Sequence, residues 1–319
     1  MDPQRRKIDV ALISVISNTT LVVLKLVVGL LTGSVSILSE AIHSATDLIA
    51  AVITLFSVKT SGLPPDSKHP FGHGKIENIA GSIEALLIFL AAGWIVFEAV
   101  QKLMNPTPIA IIGWGAGVMM FSTLANIIVS EMLFRVARET DSIALEADAW
   151  HLRTDVYTSA GVTISLALIW VVEKVFPGHH FYWLDPAAAI AVALLIIKAA
   201  YDLTVKSSRD LLDSRLPSQE EEWIIEMIKD HRSNIHGFHD LRTRKAGGFR
   251  FVEFHLKVDP LMTVADSHGI TEKISARIKA QFPHTTLTVH IEPCDGNCEE
   301  KCLDGCLLPV KGQIDSKKY

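Results

Sequence analysis

The hydrophobic pattern splits the chain into two unlike parts. Six apolar runs occupy 8–31, 35–61, 77–103, 109–134, 143–176 and 183–205. At about 1.5 Å rise per residue, about 20 helical residues cross roughly 30 Å of hydrocarbon, so each run is long enough to span a bilayer. Six crossings put both chain ends on one side of the membrane. Beyond Val205 the pattern is that of a domain in water. Residues 218–232 read as an amphipathic helix, with Trp223, Ile224, Ile225, Met227 and Ile228 on its apolar face. Residues 239–244 and 249–258 alternate apolar with polar positions on either side of Gly247-Gly248, which predicts a hairpin. Residues 264–282 read as a second helix and 286–291 as a third strand. The order α-β-β-α-β fits a small open sheet with helices on one face. The expected organisation is an α-helical membrane protein, with six transmembrane helices over 1–207, a C-terminal α+β domain over 208–293 and a Cys-rich tail over 294–319.

Charge sharpens that division. The 319 residues carry 30 basic and 35 acidic side chains, a formal net charge of −5, yet within 78–134 the charged residues are Glu84, Glu98, Lys102 and Glu131 alone. A soluble enzyme built around one large core is excluded. No Lys/Arg-rich stripe accompanies the slightly acidic balance, so nucleic acid is set aside as a partner and the lipid bilayer takes its place. The run that starts at Ile8 is too long for the apolar region of a cleaved signal peptide, and it is expected to stay as a span. Basic residues then orient the bundle. Arg5, Arg6 and Lys7 precede the first span, Lys59, Lys68 and Lys75 flank the loop after the second, and Arg135 and Arg138 follow the fourth. The opposite loops offer Lys102 and Lys174. Both termini are therefore expected in the cytoplasm.

Ionisable side chains are costly inside spans, and those that persist usually face a bundle interior with a partner. In the second span His43 and Asp47 are one helical turn apart on one face, and in the fifth His151 and Asp155 repeat that spacing. Two helices that each present an imidazole and a carboxylate can converge on one tetrahedral N₂O₂ site, which suits Zn²⁺ and is compatible with Co²⁺ or Cd²⁺. The plainer alternative is a pair of hydrogen bonds holding helices together. Lys25, Glu131, Asp148, Arg153 and Lys198 also fall in or near spans and read as bundle ion pairs or snorkelling groups. In the loop after the second span, Asp66, His69 and His73 supply a carboxylate and two imidazoles, enough for a metal if the loop folds back.

Taken together, these stretches resemble the cation diffusion facilitator family. The resemblance runs through His43-x-x-x-Asp47, the Asp66-x-x-His69-Pro-Phe-Gly-His73-Gly-Lys75 loop and Ala147-Asp148-Ala149-Trp150-His151-Leu-Arg-Thr-Asp155. It continues through Trp183-Leu184-Asp185-Pro186, Leu211-Leu212-Asp213 and His239-Asp240-Leu241-Arg242-Thr243-Arg244, to about Pro293. The resemblance implies a homodimer that exports divalent transition metals from the cytoplasm in exchange for protons and carries a ferredoxin-like cytoplasmic domain. By position it implies a transport site at His43, Asp47, His151 and Asp155 and a loop site at Asp66, His69 and His73. It further implies cytoplasmic metal sites near the dimer interface at His239, His255, His268 and His290, with Glu292 standing where some members carry Asp. His231, His236 and His284 are read as ordinary surface or sheet residues.

The tail departs from the family. Cys294, Cys298, Cys302 and Cys306, all the cysteines of the chain, recur at every fourth position with Asp295, Glu299, Glu300 and Asp304 between them. Reduced thiols in that pattern favour soft-metal binding, with a reactive or regulatory thiol cluster as the alternative. For the whole chain the leading expectation is a Zn²⁺/proton antiporter of a prokaryotic inner membrane that also handles ions such as Cd²⁺, Co²⁺ or Fe²⁺. A membrane metal sensor or scaffold would keep the same sites without moving the ion. An intramembrane metalloenzyme is disfavoured, since no H-E-x-x-H occurs and four protein ligands leave no open position for water.

Overall fold

The structure is a computed structural model that describes residues 2–33, 35–104, 113–175, 183–296 and 300–308. It divides into two compact units, Met1–Ser208 and Arg209–Tyr319.

Among the described residues the first unit is six long helices: α1 (Pro3–Thr32), α2 (Val35–Ser61), α3 (Lys75–Met104), α4 (Gly113–Thr140), α5 (Ile143–Val175) and α6 (Leu184–Leu211). The expected start of the fourth span, at 109, and the end of the fifth, at 176, lie outside the described residues. Helix α1 starts where Asp2 accepts a hydrogen bond from the Gln4 amide at 3.2 Å with Pro3 behind it, and it ends at Gly33 in the left-handed region, φ 64°. The bundle packs through small residues: Ala11, Ala80, Ala85, Ala144, Ala147 and Ala149 are fully or almost fully buried, so backbones approach closely. Large apolar side chains such as Leu30, Phe56, Trp94 and Leu194 point outward, as lipid-facing positions should. Hydroxyls of Thr19, Thr20, Thr60 and Thr163 donate to the carbonyl four residues back, which satisfies them where water is scarce.

Among the described residues, helices α1, α2, α3, α4 and α6 are each long and apolar enough to cross a membrane by length and composition. The first turns of α5 carry Glu146, Asp148, Arg153 and Asp155, and its apolar run follows them. Its first half is buried among the other helices, where those groups have protein rather than lipid around them.

Two lysines show how charge is held inside the unit. Lys7, one of the residues that oriented the first span, turns into the bundle and donates to Glu77 at 2.6 Å. Glu77 is almost wholly buried and accepts as well from Ser61, at 2.6 Å, and from Ser142. Lys25 is buried against Glu40 at 3.2 Å and Ser44 at 2.8 Å, so it is a bundle ion pair and not a snorkelling group.

The second unit holds α7 (Ser218–Lys229), β1 (Gly237–Ala246), β2 (Phe249–Val258), α8 (Val264–Gln281), β3 (Thr285–Pro293) and the short α9 (Glu300–Asp304). Strands β1 and β2 form the expected hairpin, turned at Gly247 with φ 58°. Strand β3 pairs parallel to β2, a direction that needs the crossover supplied by α8. Thr263 caps α8, its hydroxyl accepting from the Asp266 amide at 3.1 Å. Ile224, Met227 and Ile228 of α7 and Ile270, Ile274 and Ile278 of α8 cover Val252, Phe254, Leu256 and Val258 of β2. Each such side chain contributes about 1.5–3 kcal/mol on full burial. One irregularity interrupts β1: the register slips between His239 and Arg242, and Asp240 lies in the left-handed region at φ 51°, a β-bulge.

The Lys7–Glu77 pair yields a stability prediction. Glu77→Ala strands a buried ammonium, so detergent-solubilised protein should lose about 3–5 kcal/mol. Pairing Glu77→Leu with Lys7→Met should recover most of that loss. An unchanged thermal midpoint in Glu77→Ala would show that the pair does not hold the bundle.

Candidate metal centre

Helices α2 and α5 bring the two His-Asp pairs of the sequence together in crossed fashion. Nε2 of His43 lies 3.4 Å from Oδ1 of Asp155, and Nε2 of His151 lies 3.1 Å from Oδ1 of Asp47. Ligand atoms of His43, Asp47 and Asp155 all lie within 4.8 Å of one another. Those contacts are hydrogen-bond distances. They also match the edges of a tetrahedron with metal–ligand bonds of about 2.0–2.1 Å, whose corners are roughly 3.3 Å apart. Asp47 and His151 are buried while the His43 side chain is half exposed, so the group has a closed side and an open one. On the open side a cavity of about 90 Å³ is lined by His43, Asp47 and Asp155 together with Lys25, Ser44, Asn126 and Thr158. Asn126 donates to the second oxygen of Asp155 at 3.4 Å, a weak contact that orients the carboxylate.

Beside the group lie two acids that sequence reasoning did not assign to it. Glu84 is fully buried, accepts from the Thr54 hydroxyl and has a second oxygen without a hydrogen bond. Asp148, expected to be a bundle ion pair or a snorkelling group, is fully buried and no hydrogen bond reaches either of its oxygens; Ser14 sits alongside, outside hydrogen-bond geometry. That expectation is corrected. Arg153, in contrast, pairs with Glu131 at 3.0 Å as the sequence implied. The signal for Glu84 was its isolation as a charge in an apolar helix.

The loop after α2 folds back on itself. Backbone amides of His69 and Lys68 donate to Oδ1 of Asp66 at 2.6 and 2.8 Å, and the His69 and His73 rings lie 4.4 Å apart between centroids, tilted 49° to each other. Ligand atoms of Asp66, His69 and His73 fall within 4.8 Å of one another. The His69 amide, and after it the Lys68 amide, hold the exposed Asp66 carboxyl below its ordinary range.

In the second unit the register sets His239, His255 and His290 side by side across β1, β2 and β3. Glu292 joins them: its Oε2 lies 3.0 Å from Nε2 of His239, and its Oε1 lies 2.9 Å from Nδ1 of His255 and 3.8 Å from Nε2 of His290. Two groups not anticipated complete the cluster. Asp240, at the bulge, lies 3.4 Å from His239, and Lys257 donates to Oε2 of Glu292 at 2.8 Å. The Lys257 ammonium, aided by His239 and His255, holds the Glu292 carboxyl down at about 2, while Glu292 raises the lysine. His268 lies exposed on α8 and is not part of this cluster. Of the tail cysteines, Cys294, Cys302 and Cys306 are half-buried, and Cys298 lies outside the described residues.

With this geometry in hand, comparison with known proteins is decisive at the level of family. Residues 11–212 match the cation efflux transmembrane domain, and residues 216–294 match the cation efflux protein cytoplasmic domain. The chain belongs to the cation efflux family. These are the cation diffusion facilitators, transporters with apolar membrane helices and a dimerisation domain. A Synechocystis transporter is 34% identical over 272 residues, covering 85% of this chain and 86% of its own. The cation-efflux pump FieF of Salmonella schwarzengrund is 30% identical over 276 residues, covering 86% of this chain and 89% of its own. Among solved structures, the zinc form of the zinc transporter CzrB aligns at 32% identity and TM-score 0.26, covering 28% of this chain and 99% of that one.

The histidine row carries a pH prediction. The folded-state pKa of Glu292, about 2, lies below its ordinary value of 4.5, so its stabilisation is complete above 4.5 and fades as pH falls toward 2. With chelator present, Glu292→Gln should flatten the dependence of the second unit's stability on pH across that window. Parallel acid-denaturation curves for the two proteins would remove Glu292 from the electrostatic centre of the cluster.

Proposed function

We propose that the chain is a homodimeric antiporter that carries Zn²⁺ out of the cytoplasm in exchange for protons, with His43, Asp47, His151 and Asp155 as the transport site. The observation that carries this reading is the crossed pairing of two imidazoles and two carboxylates from α2 and α5, with ligand atoms of His43, Asp47 and Asp155 within 4.8 Å of one another and His151 joined to them through Asp47. Nitrogen and oxygen donors in that number suit Zn²⁺ and leave room for Cd²⁺, Co²⁺ or Fe²⁺. The family's activity and the similarity to the cation-efflux pump FieF support it further.

Coupling to protons follows from ligand chemistry. An imidazole binds metal only when neutral and a carboxylate only when ionised, so loading the ion releases protons and protonation releases the ion. The contacts seen between His43 and Asp155 and between His151 and Asp47 are what the four side chains make when a proton stands in for metal in each pair. A change in tilt between α2 and α5 would present the loaded site to either side in turn. Both termini face the cytoplasm of a prokaryotic inner membrane in this reading. Asp66, His69 and His73 form a loop site, and His239, His255, His290 and Glu292 form a cytoplasmic site, with His268 contributed near the dimer interface, where bound Zn²⁺ tightens the dimer.

Two measurements test the transport site. In proteoliposomes with a proton gradient, wild type should take up Zn²⁺ and alkalinise the lumen in step, while Asp155→Ala should abolish flux and leave the second unit folded. Metal bound at full stoichiometry without flux in wild type would favour a sensor or scaffold instead. For selectivity, His43→Asp replaces a nitrogen ligand by an oxygen and adds a negative charge. It should broaden competition toward Fe²⁺ and Mn²⁺ at the expense of Zn²⁺. Coincident selectivity profiles would rule out His43 as the discriminating ligand.

A further inference from the structure

Past the family's cytoplasmic domain the chain does not trail away from the sheet. Strand β3 ends at Pro293, the Cys294 amide donates to the Val258 carbonyl at 2.8 Å, and the backbone turns at Gly296 with φ 82°. After α9 the chain runs back along the free edge of β1. The Phe238 amide donates to the Gly305 carbonyl at 3.1 Å, the Leu307 amide donates to the His236 carbonyl at 2.9 Å, and Cys306 stands opposite Gly237 in an antiparallel bridge. The approach is too close for side chains at two positions. A Cβ on Gly305 would lie 1.7 Å from the Phe238 carbonyl oxygen, and a Cβ on Gly237 would lie 2.8 Å from the Gly305 carbonyl oxygen. The return of the tail is therefore built into the sequence on both sides of the contact.

Residues that oppose each other across an antiparallel bridge point to the same face. Gly237 pairs with Lys257, which pairs with Glu292, so Cys306 shares the face of the Lys257–Glu292 pair, and Gly237 leaves the space between them unfilled. Two residues further along the strands, on that same face, is the row of His239, His255 and His290. Cys302, one turn before Cys306, lies close enough to Lys257 for the two to interact electrostatically.

We propose that Cys302 and Cys306 form a thiolate site for a soft or borderline divalent cation, Cd²⁺ or Zn²⁺, at this edge of the sheet. Sulfur ligands select such ions over Mg²⁺, Ca²⁺ or Mn²⁺. An ion held by both Cys302 and Cys306 would clamp the tail onto β1, where Cys306 stands opposite Gly237. The site stands apart from the transport reading, because Cys302 and Cys306 lie beyond the residues matched to either family domain.

The test uses the reduced full-length protein in detergent, titrated with Cd²⁺ alone and followed by thiolate-to-Cd²⁺ charge-transfer absorption. Wild type should develop the band. Changing even an outer-shell partner of a metal ligand costs roughly 10- to 100-fold in affinity, so the double variant Cys302→Ser/Cys306→Ser should weaken the Cd²⁺ response by at least about 10-fold. Gly305→Ala, which leaves every thiol in place but forces the tail off β1, should weaken it too. Amide exchange at Phe238 and Leu307 should slow on Cd²⁺ addition in wild type and stay unchanged in the double-serine variant. The proposal is overturned if wild type gives no charge-transfer band, if the double-serine variant responds as wild type does, or if Gly305→Ala binds with unaltered affinity.

Discussion

The cost of leaving a charge unpaired in an apolar interior governs the first unit. Lys7 reaches Glu77, Lys25 reaches Glu40, and His151 and His43 each reach a carboxylate on the neighbouring helix. These contacts span α1 with α3, α1 with α2, and α2 with α5, so the pairing that makes each charge tolerable also fixes which helices are neighbours. Apolar packing alone would not choose among partners, because the outward faces of these helices are as hydrophobic as the lipid they meet.

The same constraint explains why a cation site can exist between α2 and α5. Two carboxylates so close together need positive charge between or beside them, and the two imidazoles supply it when protonated. A divalent ion would supply it in one step, after the imidazoles give up their protons. Around them the compensation is incomplete: Glu84 and Asp148 keep carboxylate oxygens that no hydrogen bond reaches. The second unit solves its version of the problem differently. There Lys257 brings a permanent positive charge to Glu292, and the histidines share that carboxylate with it.

Much of this was legible in the sequence. Hydropathy located every long helix of the first unit, yet it misjudged ends wherever a helix outlasts its apolar run. Helix α4 continues past residue 134 through Arg135, Arg138 and Glu139, which are polar but helix-compatible, and α1 starts at Pro3 because Asp2 caps it there. The i, i+4 spacing of His and Asp placed each pair on one face of its helix. It could not say that the pairs would cross, since that depends on the relative rotation of α2 and α5. Strand β2 was bounded correctly because turn-forming Gly and Pro flank it. Asp240 and Lys257 were missed for a physical reason: they enter the histidine cluster through register and a bulge, which no local pattern encodes. The return of the tail onto β1 was equally hidden, because the glycines that permit it are distant in sequence and meaningful only as a pair.

The bulge at Asp240 lets a single strand obey two opposite numbering codes. Along β2 the even residues Val252, Phe254, Leu256 and Val258 fill the core, and their odd neighbours face the other way. On β1, Phe238 lies in the core before the bulge, whereas Leu241 packs against it and Thr243 is buried after the bulge. The odd-even assignment has reversed in the middle of the strand. An unbroken strand that buried Phe238 and exposed His239 would have gone on to bury Arg242 and Arg244 and to turn Leu241 and Thr243 to the surface. One extra residue thus separates two demands made on the same ten positions: histidine on the outer layer at one end, and Leu241 and Thr243 on the inner layer past the bulge.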